Sequence, residues 1–455
     1  MAKSKKYKNR PVSSQRPKAA RNLYILAFLV FAVKIIVMLN IPHGGWYGAD
    51  GENYTSGTDG LLNDGLFSKK SILNYWPAGY PILLWILAKI SITNLFFLLS
   101  FFQTILYSLA VALFVEQVRR TRLGFLAWWL AIFLYLNPTL SLSSFAVGYE
   151  SLVASCMLAS VALIIRYKLK PSAKELKLTV LWVGLLQSLS AFVQPRGLLM
   201  GFFIFLIWGI YLNSRKTLAA VLIAGCAVMA VLPIGLVIRN VKAVNMATIS
   251  TNLGVTMNIG AGDHATGAYA SERNKNWGVN CPPTPPATSV SDSQKVQCVV
   301  KWYLTHPVKS ASLILHKSLY YWTPWSGPVA EGTMNRNPWL KINPLMNISK
   351  SSKTGANLVY GTFGKIISWL WLLGGLVLFG YGFRALWRLG GIERQLALLT
   401  ATPVLLGMLT AAATIGDHRF RLPTLGLSLF LQVAGIMALL RRFPAPALEG
   451  KPQAR

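Results

Sequence analysis

The stretch from Trp46 to Pro81 gathers the groups most able to do chemistry. It opens Trp46-Tyr-Gly-Ala-Asp-Gly-Glu-Asn-Tyr54 and closes Asn74-Tyr-Trp-Pro-Ala-Gly-Tyr-Pro81. Four of the chain's 14 acidic residues fall inside it: Asp50, Glu52, Asp59 and Asp64. Asp50 precedes Gly51 to Gly65, a segment that reads as a short helix with Tyr54, Leu61 and Leu62 on one side. A carboxylate there can simply cap the helix by accepting backbone N–H bonds. Set among Trp and Tyr beside an apolar span, it can also serve as a general base for an acceptor arriving from water. Glu52 and Asp59 read as solvated loop acids. A divalent cation shared among these carboxylates is a minor alternative.

Basic groups supply the complementary chemistry. Arg196 stands in Gln194-Pro-Arg-Gly197, and Arg419 and Arg421 in Gly416-Asp-His-Arg-Phe-Arg-Leu-Pro423, both between apolar runs. An arginine left at the bilayer centre costs about 2.5–3.5 kcal/mol on insertion scales, so each needs a partner. The ordinary partner is a headgroup or an internal acid such as Asp417 or Glu150; the sharper one is a lipid phosphate, which a guanidinium grips with two hydrogen bonds. His418 either assists or caps its loop. His306, in Thr305-His-Pro, and Lys317, ahead of Tyr320-Tyr-Trp322, form a basic and aromatic run. Lys317 there neutralises a leaving phosphate or anchors the run at the interface. Asn258 to Gly267 is glycine-rich, but no strand precedes it, and it reads as a turn-rich surface segment.

The elements that position these groups follow from composition. Of 455 residues, 53% are hydrophobic and 13% charged, and the mean hydropathy is +0.46, which places the chain among integral membrane proteins. The net charge of +31 comes from 45 Lys and Arg against 14 acids. No nucleic-acid-binding signature accompanies it; the excess reads as positive-inside loops facing anionic headgroups.

Runs of about 20 apolar residues are needed to cross ~30 Å. The expected spans are 22–41, 93–116, 123–138, 150–165, 178–194, 197–212, 218–238, 358–383, 396–414 and 422–440. With both termini cytoplasmic, ten spans leave every short basic loop inside. The first run follows eight basic residues; it is too long for a signal peptide and lacks a small-residue cleavage site, so it reads as an uncleaved helix. Residues 77–92 read as an interfacial helix. Residues 1–21 form a basic tail, 22–239 an N-terminal membrane module with its first outer loop at 42–92, 240–357 a large extracytoplasmic loop, 358–442 the last spans and 443–455 a cytoplasmic tail. This topology leaves Glu116, Glu175, Glu393 and Glu449 inside and every other acid outside, so the chemistry belongs to the outer face. Cys156 and Cys226 lie in apolar runs; Cys281 and Cys298 lie in the large loop, where an oxidising compartment permits a disulfide.

Taken together, these residues resemble a family. Asp50, Tyr54, Leu62 and Gly65, followed by Pro77-Ala-Gly-Tyr-Pro81, are similar to the first outer loop of GT-C-fold glycosyltransferases. The resemblance is to the bacterial branch related to protein O-mannosyltransferases and aminoarabinose lipid A transferases. Glu150-Ser-Leu152, Pro195-Arg-Gly197, Asn258 to Gly267, His306-Pro307 with Lys317, and Arg419-Phe-Arg-Leu-Pro423 extend it in order along the chain. It departs where Asp59 replaces a frequent Ala and where Gly51 separates Asp50 from Glu52. The resemblance implies an all-α GT-C-type bundle in the cell (inner) membrane. It implies inverting transfer of a sugar from a polyprenyl-phosphate carrier to an extracytoplasmic glycan, lipid or protein, without a cofactor. Asp50 would be the base; Glu52, Tyr54, Arg196, His306, Lys317, Arg419 and Arg421 would contact substrates. The competing class is a lipid or polysaccharide transporter or flippase, which calls for inverted repeats and ionisable groups at mid-membrane. No convincing repeat is found, and the polar groups gather at one face. A polymer ligase or accessory subunit using a lipid diphosphate is a further alternative.

Overall fold

The computed structural model describes residues 17–40, 46–47, 50–212, 214–268, 278–279, 281, 289–322 and 362–440. Both expected tails therefore lie largely outside the described residues, as does the end of the large loop. In chain order the elements begin α1 (Pro17–Leu39), β1 (Trp46–Tyr47), α2 (Gly51–Asp64), α3 (Ile72–Tyr75), α4 (Gly79–Ile90) and α5 (Leu95–Arg119). They continue with α6 (Ala127–Leu136), α7 (Pro138–Ser143), β2 (Ala146–Val147), α8 (Glu150–Leu169), α9 (Ala173–Val193), α10 (Arg196–Ile210) and α11 (Arg215–Val244). Then come α12 (Leu253–Ile259), α13 (Ser289–Thr305), α14 (Pro307–Trp322), α15 (Thr362–Leu389), α16 (Gly391–Ala413) and, after a 3₁₀ segment at His418–Thr424, α17 (Leu425–Leu439).

Among the described residues eight helices are long and apolar enough to cross a membrane, by length and composition: those of α1, α5, α8, α9, α11, α15, α16 and the unit 418–439. The chain is an all-α polytopic membrane protein. Two of the ten expected spans are shorter apolar helices, at Gly124–Leu136 and Arg196–Ile210, so the described helices give eight full-length candidates rather than ten. The expected interfacial segment is α4, whose 12 residues rise only about 18 Å.

The most enclosed of the early spans, α8, is built largely from small side chains. Ser151, Ala154, Ser155, Cys156, Ser160 and Ala162 are all buried, which lets α5 and α9 approach it closely on either side. The crossing of α15 and α17 is closer still. A Cβ on Gly382 would stand 1.9 Å from the Leu431 carbonyl oxygen, and one on Gly435 would stand 2.1 Å from that of Leu378. Only glycine permits this contact. Trp208, Tyr80, Tyr107, Phe114, Phe205 and Phe430 are fully buried and fill the interior between helices.

The first loop is fixed to the bundle in three ways. Trp46 and Tyr47 pair in parallel with Ala146 and Val147, tying the start of the loop to the head of α8. Gly65, with φ of +77°, ends α2 in a conformation that side chains disfavour. Arg239, near the end of α11, is buried and holds the rest. Its guanidinium donates to the Leu66 carbonyl at 3.1 Å, to Asn74 Oδ1 at 2.7 Å, and to the Ser68 carbonyl.

The large loop contributes α12, α13 and α14 around a small core of Ala261, Val299, Trp302 and Leu313. Cys281 and Cys298 are joined, with Cα atoms 6.0 Å apart. Tyr321 at the end of α14 donates to the Val404 carbonyl at 3.0 Å, packing the loop against α16.

Candidate active site

Asp50 sits at the N-cap position of α2, but its carboxylate makes no capping hydrogen bond; the backbone carbonyl of Asp50 accepts from Asn53 and Tyr54 instead. The side chain turns the other way. Its Oδ2 lies 3.0 Å from Arg419 Nη1, in a pair whose members are 13% and 14% exposed. Arg419 is shared, because its Nε lies 3.2 Å from Asp417 Oδ2. Asp417 is fixed twice over: it caps the 3₁₀ segment by accepting the Arg419 backbone N–H at 2.9 Å. His418 Nδ1 stands 3.8 Å from the same carboxylate.

From this pair the site extends as a continuous chain of contacts. Arg196, at the head of α10, lays its guanidinium over the Phe420 ring at 3.8 Å, while that of Arg419 lies 5.4 Å from the same ring. Both distances suit cation–π attraction. Arg196 Nη2 also donates to Thr414 Oγ1 at 3.2 Å. Thr414 in turn backs onto Gly260, where an added Cβ would meet the Thr414 carbonyl at 2.0 Å and Lys317 Nζ at 2.9 Å. Lys317 is fully buried; its ammonium donates to the Tyr303 hydroxyl. Burial pushes the Lys317 amine down to about 8 and the Tyr303 phenol up to about 12. Arg421 is buried with its guanidinium 5.6 Å from the Trp322 ring. Glu150, at the head of α8, is buried within electrostatic reach of Arg419, Asp50 and Asp417. Asp50, Asp417 and Glu150 thus converge with Arg196, Arg419, Arg421 and Lys317, a site in which cations outnumber acids.

Asp50, Arg196, Arg419, Arg421 and Lys317, all singled out in the sequence, are brought into this network. Tyr54 is beside it but enclosed, its ring 4.9 Å from that of Tyr80. Burial, then the negative charge of Asp50, raises its phenol well above the ordinary range. Glu52 is exposed in the first turn of α2. His306 is stacked on Trp302 at 4.9 Å and caps the other end of α14, about 16 Å of helix away from Lys317. The structure does not bring His306 to the cluster. The surface reading of Asn258 to Gly267 is corrected. Asn258, Ile259 and Ala261 are buried, because Lys317 and the turn at Thr414–Gly416 pack over them. The sequence offers Asp417 as an internal acid for these arginines, and it does pair with Arg419; the supporting roles of Phe420 and Thr414 were not assigned from sequence. The Asp-x-Arg spacing, which lets the acid accept the N–H two residues on, carried a further signal.

No family model matches the chain, and neither does any curated protein. Among solved structures it is similar to the oligosaccharyltransferase of Archaeoglobus fulgidus. Against the apo form the identity is 15% with a TM-score of 0.46, covering 91% of this chain and 51% of that one. Against the complex with an inhibitory peptide and a dolichol-phosphate the values are 14%, 0.44, 91% and 50%. The chain therefore spans about half the length of those proteins. Likeness at this level establishes neither fold nor function. Among the described residues no group of three or more His, Cys, Asp or Glu side chains is placed to hold a metal ion.

Proposed function

We propose that this protein is a GT-C-type membrane glycosyltransferase. It moves a sugar from a polyprenyl-phosphate carrier to an acceptor at the extracytoplasmic face, with inversion and with both termini cytoplasmic. The observation that carries the reading is the meeting of Asp50 with Arg419 at 3.0 Å, from opposite ends of the chain. A base and a phosphate-binding group must line one site in this chemistry, because the incoming acceptor atom and the departing phosphate oxygen lie on opposite faces of the same anomeric carbon.

The acceptor hydroxyl or amine gives its proton to Asp50 and attacks the anomeric carbon as the bond to the phosphate oxygen breaks. Charge then grows on the departing lipid phosphate. Arg419, Arg196 and Arg421, with Lys317 behind them, form a field prepared for that charge before it appears, the arrangement that usually dominates catalysis. Phe420 holds two of these guanidiniums in place while contributing no competing hydrogen bonds.

The test is transfer, or slow hydrolysis to free sugar and polyprenyl phosphate, by the purified protein in lipid nanodiscs. The donors are a panel of polyprenyl-phosphate hexoses and pentoses, so the readout needs no identified acceptor. Asp50→Asn is expected to remain folded, retain lipid-phosphate binding and lose ~10²–10⁴ in rate, the usual worth of a general base. Normal turnover by that variant refutes the assignment.

A further inference from the structure

Arg419 faces Asp50 and Asp417 with one nitrogen from each of its two forks, so a phosphate gripped by either fork must displace one of the acids. In the present arrangement its Nη1 lies 3.0 Å from Asp50 Oδ2 and its Nε 3.2 Å from Asp417 Oδ2, the second an ion pair without a hydrogen bond. While Asp50 Oδ2 faces the guanidinium, that oxygen is not turned toward an acceptor group. A guanidinium whose fork is occupied cannot bind a phosphate with two parallel hydrogen bonds. With both contacts made, the site is closed on itself.

The two acids are not equally free to let go. Asp417 Oδ1 accepts the backbone N–H of Arg419 at 2.9 Å, so the acid is tied to the main chain of the residue it pairs with. Among the described residues Asp50 has no such tie. It ends the short connection after β1, and its carboxylate does not cap the helix it precedes. Resting on the glycosyltransferase reading above, we infer that Asp417 is the positioning residue for Arg419 and that Asp50 is its exchangeable partner. The donor phosphate takes the Nη1 edge of Arg419 from Asp50, and the base is released only once the donor is seated. One ion pair breaks as another forms, so the charge on Arg419 stays compensated throughout. The donor therefore binds before the acceptor is activated, and the empty enzyme holds its base in check.

The sign of one measurement separates this exchange from a structural role. Binding of polyprenyl phosphate, without sugar, is titrated against the full-length protein in nanodiscs. Asp50→Asn removes the competitor for Arg419 and is expected to tighten binding about 10-fold, the equivalent of about 1.4 kcal/mol. Asp50→Glu, which restores a carboxylate on a longer arm, should return affinity toward the wild-type value. Asp417→Asn should weaken binding about 10-fold and raise the donor KM more than it lowers kcat, with Asp417→Glu giving partial rescue. A loss of fold in any variant is read from its unfolding midpoint, and the Asn and Glu forms of Asp50 provide independent checks. Unchanged or weaker affinity in Asp50→Asn, with transfer lost, overturns the exchange and leaves the base assignment standing. Wild-type protein that binds no polyprenyl phosphate overturns both.

Discussion

The ion pairs at the two ends of α16 invert one another. Near Thr414, where α16 finishes, one guanidinium stands between two acids, Asp50 and Asp417. Toward the other end, one acid stands between two guanidiniums: Glu116 meets Arg119 and Arg120 at 2.7 Å each, a few residues before Arg122, whose pair with Glu393 reaches the start of α16. The partners of Glu116 lie three and four residues along α5, where helix geometry alone sets them side by side. Such pairs form with their helix and mark where the chain turns back. Asp50 and Arg419 come together only when the whole chain has folded. Arg122 with Glu393, at 2.6 Å, joins distant segments too. Yet Arg122 also donates to the Leu389 carbonyl at 3.1 Å, so it closes the open end of α15 and leaves little for a ligand. Its Nε and Nη2 both have fixed structural partners. At the site end, one contact of Arg419 is fixed and one is exchangeable.

Removing the arginine at each end should break the comparison open. Arg419→Ala leaves Asp50 and Asp417 without their shared cation. It is expected to lower transfer by more than about 100-fold and stability by about 3–5 kcal/mol, the cost of stranding a buried partner. Arg122→Ala should leave transfer within about 2-fold while lowering stability by a comparable amount, since Glu393, only 4% exposed, also loses its cation. Donor turnover and unfolding midpoints, measured on both variants, check this. Equal losses of transfer at the two ends would erase the functional distinction drawn here.

The unequal legibility of the two ends in the sequence has the same origin. Apolar runs and the basic residues ending them announce the spans and their turns; the expected runs 93–116 and 150–165 became α5 (Leu95–Arg119) and α8 (Glu150–Leu169). Asp50, Arg196, Arg419 and Arg421 were visible because charges at the ends of apolar runs are costly unless they have a purpose. Their pairing was not visible, because spacing along a chain says nothing about contacts between its opposite ends. Arg239 escaped notice for another reason. It anchors the first loop through the carbonyls of Leu66 and Ser68, and backbone acceptors leave no mark on residue type. Asn258 to Gly267 looked like surface because glycine and polar residues usually are. Here the missing side chains make room for Lys317, whose Cγ would lie 3.2 Å from a Cβ on Gly267.

A smaller effect belongs to the cap formed by the large loop. The Cys281–Cys298 bond closes a loop with a sequence separation of 17, for which chain entropy gives about 3 kcal/mol. It braces the core containing Trp302 and Leu313, one turn of structure removed from Lys317. Reduction, or Cys281→Ser with Cys298→Ser, should lower the unfolding midpoint and weaken donor binding through a loosened Lys317. The pairs around Glu116 should be indifferent to it. An unfolding midpoint identical with and without reductant would show that the cap draws its stability from α16 alone.

The smallest effect is the most specific. Unlike Arg419, Lys317 donates to a phenol, that of Tyr303, and burial holds its amine down at about 8. The unfolded chain titrates this amine near ~10.4. Below about pH 8 both states carry the charge, and the folded protein bears the full cost of burying it. As the pH rises from about 8 toward ~10.4 the folded state gives up its proton first, so stability should increase across that window and level off above it. Tyr303, raised to about 12, stays protonated throughout. Lys317→Met is expected to raise the unfolding midpoint at pH 7 and to flatten the alkaline rise, while reducing donor affinity. Adding polyprenyl phosphate to the wild-type protein should flatten the same rise, because a bound phosphate keeps the ammonium charged at no cost to the fold. If the ligand leaves the rise untouched, Lys317 serves only to anchor the loop, and the cationic surplus of the site ends at Arg196.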